Sequence, residues 1–391
     1  MGFLRKWLSI AIIYLFNFSL PVKENKIFFF SYYGNQYGCN PKYISEHMLK
    51  QYPKNSFDIV WALNNPSTKL KDVKVVKTMS LKYFYELCTS KVIITNFRTT
   101  DLFVKRKNQY YIQTWHSSLR LKQIEKDAEA SLPSHYVQMA KKDSKKCDLV
   151  LSGCKYSTSI FKRAFWYEGE IFEHGTPRND MLINNYNVNY RSRILNGLKI
   201  AKKSKIILYA PTFRKGNNLE IYKLEYSKIL SQIKNKYGGE WIFLVKLHPH
   251  LTSKSKELVY GKDVIDVTAY DDIQELLSIS DVLISDYSSL MFDFALTKRP
   301  CFLYVPDLDE YMANDRNLYF DIQDLPFNHA TDMDQLLLLM QQFNHKKYEQ
   351  KLKEFSSLIG TYENGKAAEK LVKRIYEVCF KEKEKKLYEA I

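Results

Sequence analysis

The stretch DVLISDYSSLMFDFALTKRPCFLY, Asp281 to Tyr304, decides the fold. An apolar run, Val282 to Ile284, stops at Ser285-Asp286-Tyr287-Ser288-Ser289. Helical spacing begins at Leu290, and Lys298-Arg299-Pro300 leads into a second apolar run at Cys301. Strand, turn, helix, strand is the βαβ unit of a parallel sheet. A dinucleotide-binding turn would carry glycines at the strand end, whereas this one offers two serines and an aspartate. Hydroxyls and free amides at a helix start suit an anion without adding charge. Asp293, four residues beyond Ser289, lies one turn deeper on the same side, where a carboxylate can accept from ribose hydroxyls. The plainer reading is that Asp286 and Ser288 cap the helix; the two readings are compatible.

Working outward, the same short continuous apolar runs recur in both halves of the chain. Ile27–Phe30, Phe57–Ala62, Val92–Asn96, Tyr110–Thr114 and Leu149–Ser152 precede the lysine-rich stretch Asn184–Ser204. Ile206–Ala210, Trp241–Leu247, Val264–Val267, Val282–Ser285 and Cys301–Val305 follow it. Largely apolar runs without polar alternation suit strands covered on both faces, and helical segments lie between several of them. The expectation is an α/β protein of two Rossmann-like domains facing a cleft. The boundaries fall at 1–21 for an N-terminal helix, 22–200 for the first domain and 201–391 for the second. Ligand groups collect at the carboxyl ends of such strands.

The 391 residues are 45% hydrophobic with 13 glycines, enough to bury two cores. The net charge of +16 comes from 59 Lys and Arg against 43 Asp and Glu. It favours phosphate-rich ligands or an anionic membrane surface. No zinc-finger, RNP or helix-turn-helix context accompanies the charge, so nucleic acid is not expected as a partner. Six scattered cysteines with no CxxC read as reduced thiols, and no metal site or cofactor is expected. Arg5-Lys6 precede an almost uncharged run, Trp7 to Leu20. That run is shorter than the about 20 residues of a spanning helix and fits an interfacial one.

Several strand-end motifs carry candidate chemistry. YIQTWHSSLRLKQI, Tyr110 to Ile124, delivers His116 to a strand mouth as a general base, with Ser117-Ser118 placed to cap a helix. YAPTFR, Tyr209 to Arg214, ends a strand with Thr212 as hydroxyl donor and Arg214 as a fork for phosphate oxygens. FLVKLHPHL, Phe243 to Leu251, puts Lys246 and His248 on one face of a strand end, and Pro249 holds His248 extended. EHGTPRNDML, Glu173 to Leu182, is a turn that would present Arg178 to the same ligand. Asp307-Leu308-Asp309 matches a DxD metal motif too short to carry weight, and no P-loop, HExxH or GxGxxG is present.

In order, WHSSLRLK, GTPRND, YAPTFR, KLHPH, DVLISDYSSLMFDFALTKRP and DLDEY…RNLYFD resemble the CDP-glycerol glycerophosphotransferases of teichoic acid and capsule synthesis. FFFSYYGNQYGCNPKYI and YENGKAAEKLVKRI extend the likeness over roughly residues 22 to 378. The resemblance implies a GT-B-type fold with acceptor recognition in the first domain and the nucleotide donor in the second. It implies His116 and His248 as essential histidines and Ser288 and Ser289 as phosphate-binding serines; the strand-end reading above adds Thr212, Arg214, Lys246, Asp286, Asp293 and Arg178 to the donor site. It implies CDP-glycerol as donor, an undecaprenyl-diphosphate-linked or polymeric acceptor, and peripheral attachment to the cytoplasmic face of the bacterial membrane. The family has Gly-Thr-Pro after Trp-His where this chain has Ser117-Ser118-Leu119, which bears on the acceptor more than on the chemistry. Three alternatives stand beside this reading: CDP-ribitol as donor, a GT-B glycosyltransferase or epimerase acting on UDP-sugars, and a basic non-enzymatic scaffold at a membrane. The sequence leaves a homo-oligomer open.

Overall fold

The structure is a computed structural model that describes residues 3–184, 188–214, 219–258, 260–314 and 317–389. Arg316, the first residue of the RNLYFD motif above, lies outside the described residues. Two compact units form. The first comprises residues 1–118, 124–180 and 362–391, the second residues 119–123 and 181–361.

The first unit begins with α1 (Phe3–Ser19) and continues β1 (Lys23–Phe30), α2 (Cys39–Gln51), β2 (Asp58–Leu63), β3 (Lys74–Lys77), α3 (Leu81–Thr89), β4 (Ser90–Thr95) and β5 (Tyr110–Gln113). It goes on through α4 (Ser134–Lys146), β6 (Leu149–Leu151), α5 (Lys155–Ala164) and β7 (Glu170–Phe172). The sheet order is β3-β2-β1-β4-β5-β6-β7, and every pairing is parallel. Burial on both faces explains the continuous apolar runs: Ile27 and Phe29 point into one core, Phe28 into the other.

A one-turn α6 (Asp180–Ile183) leads to the second unit, with α7 (Val188–Gly197), β8 (Lys205–Tyr209), α8 (Tyr226–Tyr237), β9 (Trp241–Val245), β10 (Val264–Asp266), α9 (Ile273–Ile279) and β11 (Val282–Ser285). Then come α10 (Leu290–Ala295), β12 (Cys301–Tyr304), α11 (Leu308–Asn314), β13 (Asn328–Ala330), α12 (Met333–Gln341) and α13 (His345–Ile359). The order β10-β9-β8-β11-β12-β13 is again all parallel. In each sheet the strand order reverses once, at β1/β4 and at β8/β11, and that reversal opens a crevice at the carboxyl ends. The quoted stretch spans β11, α10 and β12, as its pattern predicts.

Three expectations are corrected. The boundary expected at 200/201 lies at 180/181, and a helix stands inside the supposedly weakly patterned linker. The C-terminal helix α14 (Ala367–Glu389) belongs to the first unit, not the second. Its apolar face, Leu371, Val372, Ile375 and Cys379, is buried against β1, β2 and β4. Asp180 accepts from the first amides of that helix, Ala367 N at 3.0 Å and Ala368 N at 2.7 Å, satisfying donors that a helix start leaves unpaired. Finally, no helix begins at Ser117-Ser118; residues 119–123 belong to the second unit, where Lys122 forms an isolated antiparallel bridge with Leu318.

The helix α1 lies on α3 through Ile12, Ile13 and Phe16, with Asn17 Nδ2 donating to Val104 O at 3.0 Å. Its other side leaves Leu4, Trp7, Leu8, Tyr14, Leu15 and Phe18 exposed. Among the described residues no helix is long and apolar enough to cross a membrane. All six cysteines are free.

Candidate active site

In the first unit the crevice at β1/β4 is framed by Asn96, which follows β4. Its side-chain oxygen accepts from Tyr32 N at 2.9 Å. After β5 the backbone turns sharply, because Trp115 adopts φ +51°, a conformation costly for a bulky side chain. Neighbouring bonds hold it there: Thr114 N donates to Thr95 O at 2.8 Å, Trp115 N to Gln113 Oε1 at 3.0 Å, and Asn40 Nδ2 to the carbonyls of Thr114 and Trp115 at 3.2 and 3.3 Å. Beneath the indole, buried Arg98 is paired with Glu125 and Asp143 at 3.4 and 3.3 Å. The turn throws His116 outward into an exposed position, stacked on Trp115. Its Nδ1 lies 3.1 Å from Asn96 O. A carbonyl only accepts, so Nδ1 carries the proton and Nε2 keeps its lone pair.

Arg178, grouped from the sequence with the donor-binding residues, is in this first unit and is buried. Its amide donates to Asn40 Oδ1 at 3.0 Å, the same asparagine that holds the His116 turn. The rest of its motif is a structural joint. Glu363 accepts from Thr176 N and Oγ1 at 3.1 and 2.6 Å and from Asn179 Nδ2 at 3.2 Å, tying the turn to the start of the C-terminal helix.

In the second unit the crevice at β8/β11 brings together Thr212, Arg214 and Asp286. Asp286 accepts twice from Thr212 N, at 2.8 and 3.0 Å, and pairs with Arg214 at 2.8 Å. Arg214 is also bidentate to Asp307, with Nε at 2.7 Å and Nη2 at 3.2 Å, and Nη1 donates to Thr212 O. Burial alone would lower its pKa, and the two carboxylates more than reverse that, so the guanidinium is permanently charged. Tyr287 and Tyr311, stacked at 3.8 Å, lie beside it, each ring centre within 5 Å of the guanidinium carbon. Arg214 is thus chiefly an organiser of two loops. The Thr212 hydroxyl, by contrast, is buried with no partner among the described residues, and an unpaired buried hydroxyl marks a place a ligand can satisfy.

The serine turn departs from simple capping. Ser289 occupies the N-cap of α10 without a side-chain cap bond; its Oγ instead accepts from Leu121 N at 3.2 Å. Ser288 gives its carbonyl to Met291 N at 3.3 Å. Asp293 is buried against Gln274, whose Nε2 donates to it at 3.2 Å. The same holds for Lys246, whose ammonium donates to the carbonyls of Thr268 and Tyr270 at 2.6 and 2.8 Å. Burial lowers the pKa of that ammonium to about 8.

His248 sits exposed at the mouth of β9, clustered with Phe213 and His250 at ring-centre distances of 5.4 and 4.7 Å. His250 N donates to its Nδ1 at 3.3 Å, so the proton of the neutral ring is on Nε2. Loss of solvent on the packed side, then His250, Lys246 and Lys122, lower its pKa to about 4. Lys122, whose Nζ lies 5.0 Å from the Tyr311 ring centre, acts on this group from the 119–123 segment. Asn40, Asn96, Lys122, Tyr287, Tyr311 and Asp307 were not found from sequence. Asp307 was visible only inside a DxD pattern, which among the described residues belongs to no group of potential metal ligands.

The family described as CDP-glycerol:poly(glycerophosphate) glycerophosphotransferase matches residues 12–377. The chain belongs to this family. It is accordingly a CDP-glycerol glycerophosphotransferase, as the ordered motifs implied. It is 36% identical over 315 residues to a teichoic acid poly(glycerol phosphate) polymerase of Bacillus spizizenii, covering 78% of this chain and 79% of that protein. It is 33% identical to one of Staphylococcus epidermidis, covering 89% of this chain but spanning only 50% of the length of that relative. A solved structure of the wall teichoic acid polymerase TagF, a variant soaked with CDPG, superposes with a TM-score of 0.84 at 30% identity over 96% of this chain and 94% of that one. The two parallel-sheet α/β units are those of a GT-B-type fold.

Proposed function

We propose that the protein transfers glycerol phosphate from CDP-glycerol to a hydroxyl of a lipid-linked saccharide or growing polyol-phosphate polymer at a membrane surface. His116 acts as base and His248 as hydrogen-bond donor. The observation that carries the reading is the opposite bonding of the two imidazoles: a carbonyl on Nδ1 of His116, an amide N–H on Nδ1 of His248. His116 Nε2 takes the proton of the acceptor hydroxyl as that oxygen attacks the phosphorus bearing glycerol. The bond from that phosphorus to the bridging oxygen breaks, and CMP leaves with the electron pair. His248 Nε2–H donates to the diphosphate as negative charge gathers on the departing CMP. A neutral donor needs no proton exchange with solvent, which the low pKa of His248 supports.

Thr212 and Ser288 are the hydroxyl donors we assign to the diphosphate, and Ser289 shapes the same turn from its bond to Leu121 N. Arg214, Asp286, Asp293 and Lys246 hold the surrounding loops, and Arg178 orders the His116 turn through Asn40. Phosphoryl transfer of this kind is mostly positioning and charge stabilisation. The apolar outer side of α1, with Arg5 beside it, is the surface we assign to the membrane, as an interfacial helix requires.

Parallel incubation with CDP-glycerol, CDP-ribitol and UDP-sugars tests the proposal. CMP release from CDP-glycerol, dependent on a polyol-phosphate acceptor, is the expected result. Faster release from CDP-ribitol would reassign the donor, and release of UDP alone would end the proposal.

A further inference from the structure

The first unit contains a cavity of about 300 Å³ that none of the chemistry above uses. It lies between the β1/β4 carboxyl ends and α3. Phe28, Leu87, Ile93, Phe97 and Phe103 line its buried floor, and its rim includes the exposed Tyr33, Asn64 and Thr100. On a share of ~30 Å³ per liquid water, the volume is about ten waters, the low end of small-molecule pockets.

The polar groups of the wall are already used by the protein. Thr78 Oγ1 donates to Asn64, whose Nδ2 donates to Tyr33 O at 3.1 Å and to Asn35 Oδ1 at 2.6 Å. Thr95 Oγ1 donates to Phe97 O at 3.0 Å, Thr99 Oγ1 to Asp143, and Thr100 Oγ1 accepts from Leu102 N at 3.2 Å. What remains facing the space is chiefly carbon, and water in such a place has few partners.

Two neighbours say what fills it. Ile12, Ile13 and Phe16 of α1 pack into the same cluster as Phe28, Tyr83, Leu87, Ile93 and Phe103, so the cavity and the helix with the apolar outer side share one core. On the other flank, Thr95 and Phe97 line the cavity while Asn96 between them holds His116 through its carbonyl. We propose that this cavity binds an aliphatic chain of a lipid, drawn from the surface on which α1 lies and held beside the turn that carries His116. The proposal rests on the membrane reading of α1 for the source of the chain, but not for the binding itself. The chain comes from the lipid-linked acceptor or from a bilayer lipid; the chemistry of recognition is the same.

The test titrates the full-length protein with dansyl-undecanoic acid in the absence of vesicles. Saturable fluorescence enhancement, displaced by farnesol, is expected. Leu102→Trp, which fills the mouth, and Met79→Glu, which places a carboxylate there, should each weaken the probe at least tenfold while the thermal melt stays within a few degrees of wild type. No saturable binding, or unchanged binding in both variants with melts intact, overturns the proposal. Two further arms separate the sources. A rise in KM for a lipid-linked acceptor, with none for a soluble glycerol-phosphate acceptor, assigns the chain to the acceptor; weaker vesicle sedimentation with unchanged KM assigns it to a bilayer lipid. Trp7→Glu with Leu15→Glu tests α1 alone. If vesicles still bind that variant, the membrane reading of α1 falls while probe binding still stands for the cavity.

Discussion

His116 and His248 each follow a β-strand at the crevice of a parallel sheet, yet their surroundings make them opposites. His116 is exposed on a strained turn, and its Nδ1–H is spent on the Asn96 carbonyl, which leaves Nε2 able to accept a proton. His248, likewise exposed, lies against Phe213 and His250, receives an N–H on Nδ1, and keeps its proton on Nε2. Which atom lies against Nδ1 sets the tautomer, and the tautomer sets whether the ring can serve as base or donor. One sequence signal, a histidine at a strand mouth, therefore covers two tautomers that only the hydrogen-bond partners separate.

The strongest way to break this contrast is His116→Ala. CMP release should fall about a hundred- to ten-thousand-fold, the usual range for a lost general base, with CDP-glycerol affinity by calorimetry unchanged. Near-normal turnover would remove His116 from the chemistry. For Arg214→Ala the expected loss is of stability, about 3–5 kcal/mol by denaturant unfolding, because Asp286 and Asp307 are left buried without a cation. An Arg214 variant that is fully stable but cannot bind CDP-glycerol would return the guanidinium to the phosphates.

His248 offers a finer comparison. His248→Gln retains an N–H donor and should lose about tenfold less activity than His248→Ala, since a single donor to developing charge is worth about a hundredfold or more. Equal losses would point away from donation. The pH profile sharpens this further. With its folded pKa depressed to about 4 and an unfolded value near 6.5, His248 is neutral in the folded state above about pH 4. Between the two values the unfolded chain binds more protons, so the stabilising share of neutral His248 is full above about pH 6.5 and is lost as pH falls towards 4. His248→Gln should therefore flatten the fall in melting temperature over that window, while leaving the acid limb of the activity profile in place. The smallest effect belongs to Glu363→Gln: it keeps a side-chain acceptor for Thr176 and should lower the melting temperature by only a few degrees with CMP release unchanged.

Much of this was legible in the residues. Continuous apolar runs announce doubly covered parallel strands, and strand-end polar motifs announce the crevices. The edge strands β3, β7 and β13 were not legible, because their polar and half-exposed residues, such as Lys74, Lys77, Glu170, Asn328 and His329, leave no continuous apolar run. The Gly-Thr-Pro-Arg-Asn-Asp motif read as a ligand turn, but Asp180, Glu363 and Thr176 make it largely a joint. Arg214 read as a phosphate fork, because nothing in the sequence near Asp286 or Asp307 reveals that both carboxylates converge on it.

By itself, then, the sequence determined the two parallel α/β units and the ordered motifs of the family, since these depend on local periodicity and on residues at strand ends. Tertiary structure decided that the C-terminal helix returns to the first unit, that 119–123 joins the second, and which ring nitrogen of each histidine carries the proton. Those outcomes depend on partners far along the chain, such as Asp180 with Ala367 or Asn96 with His116, and hydrogen bonding between distant residues leaves no periodic trace in the sequence.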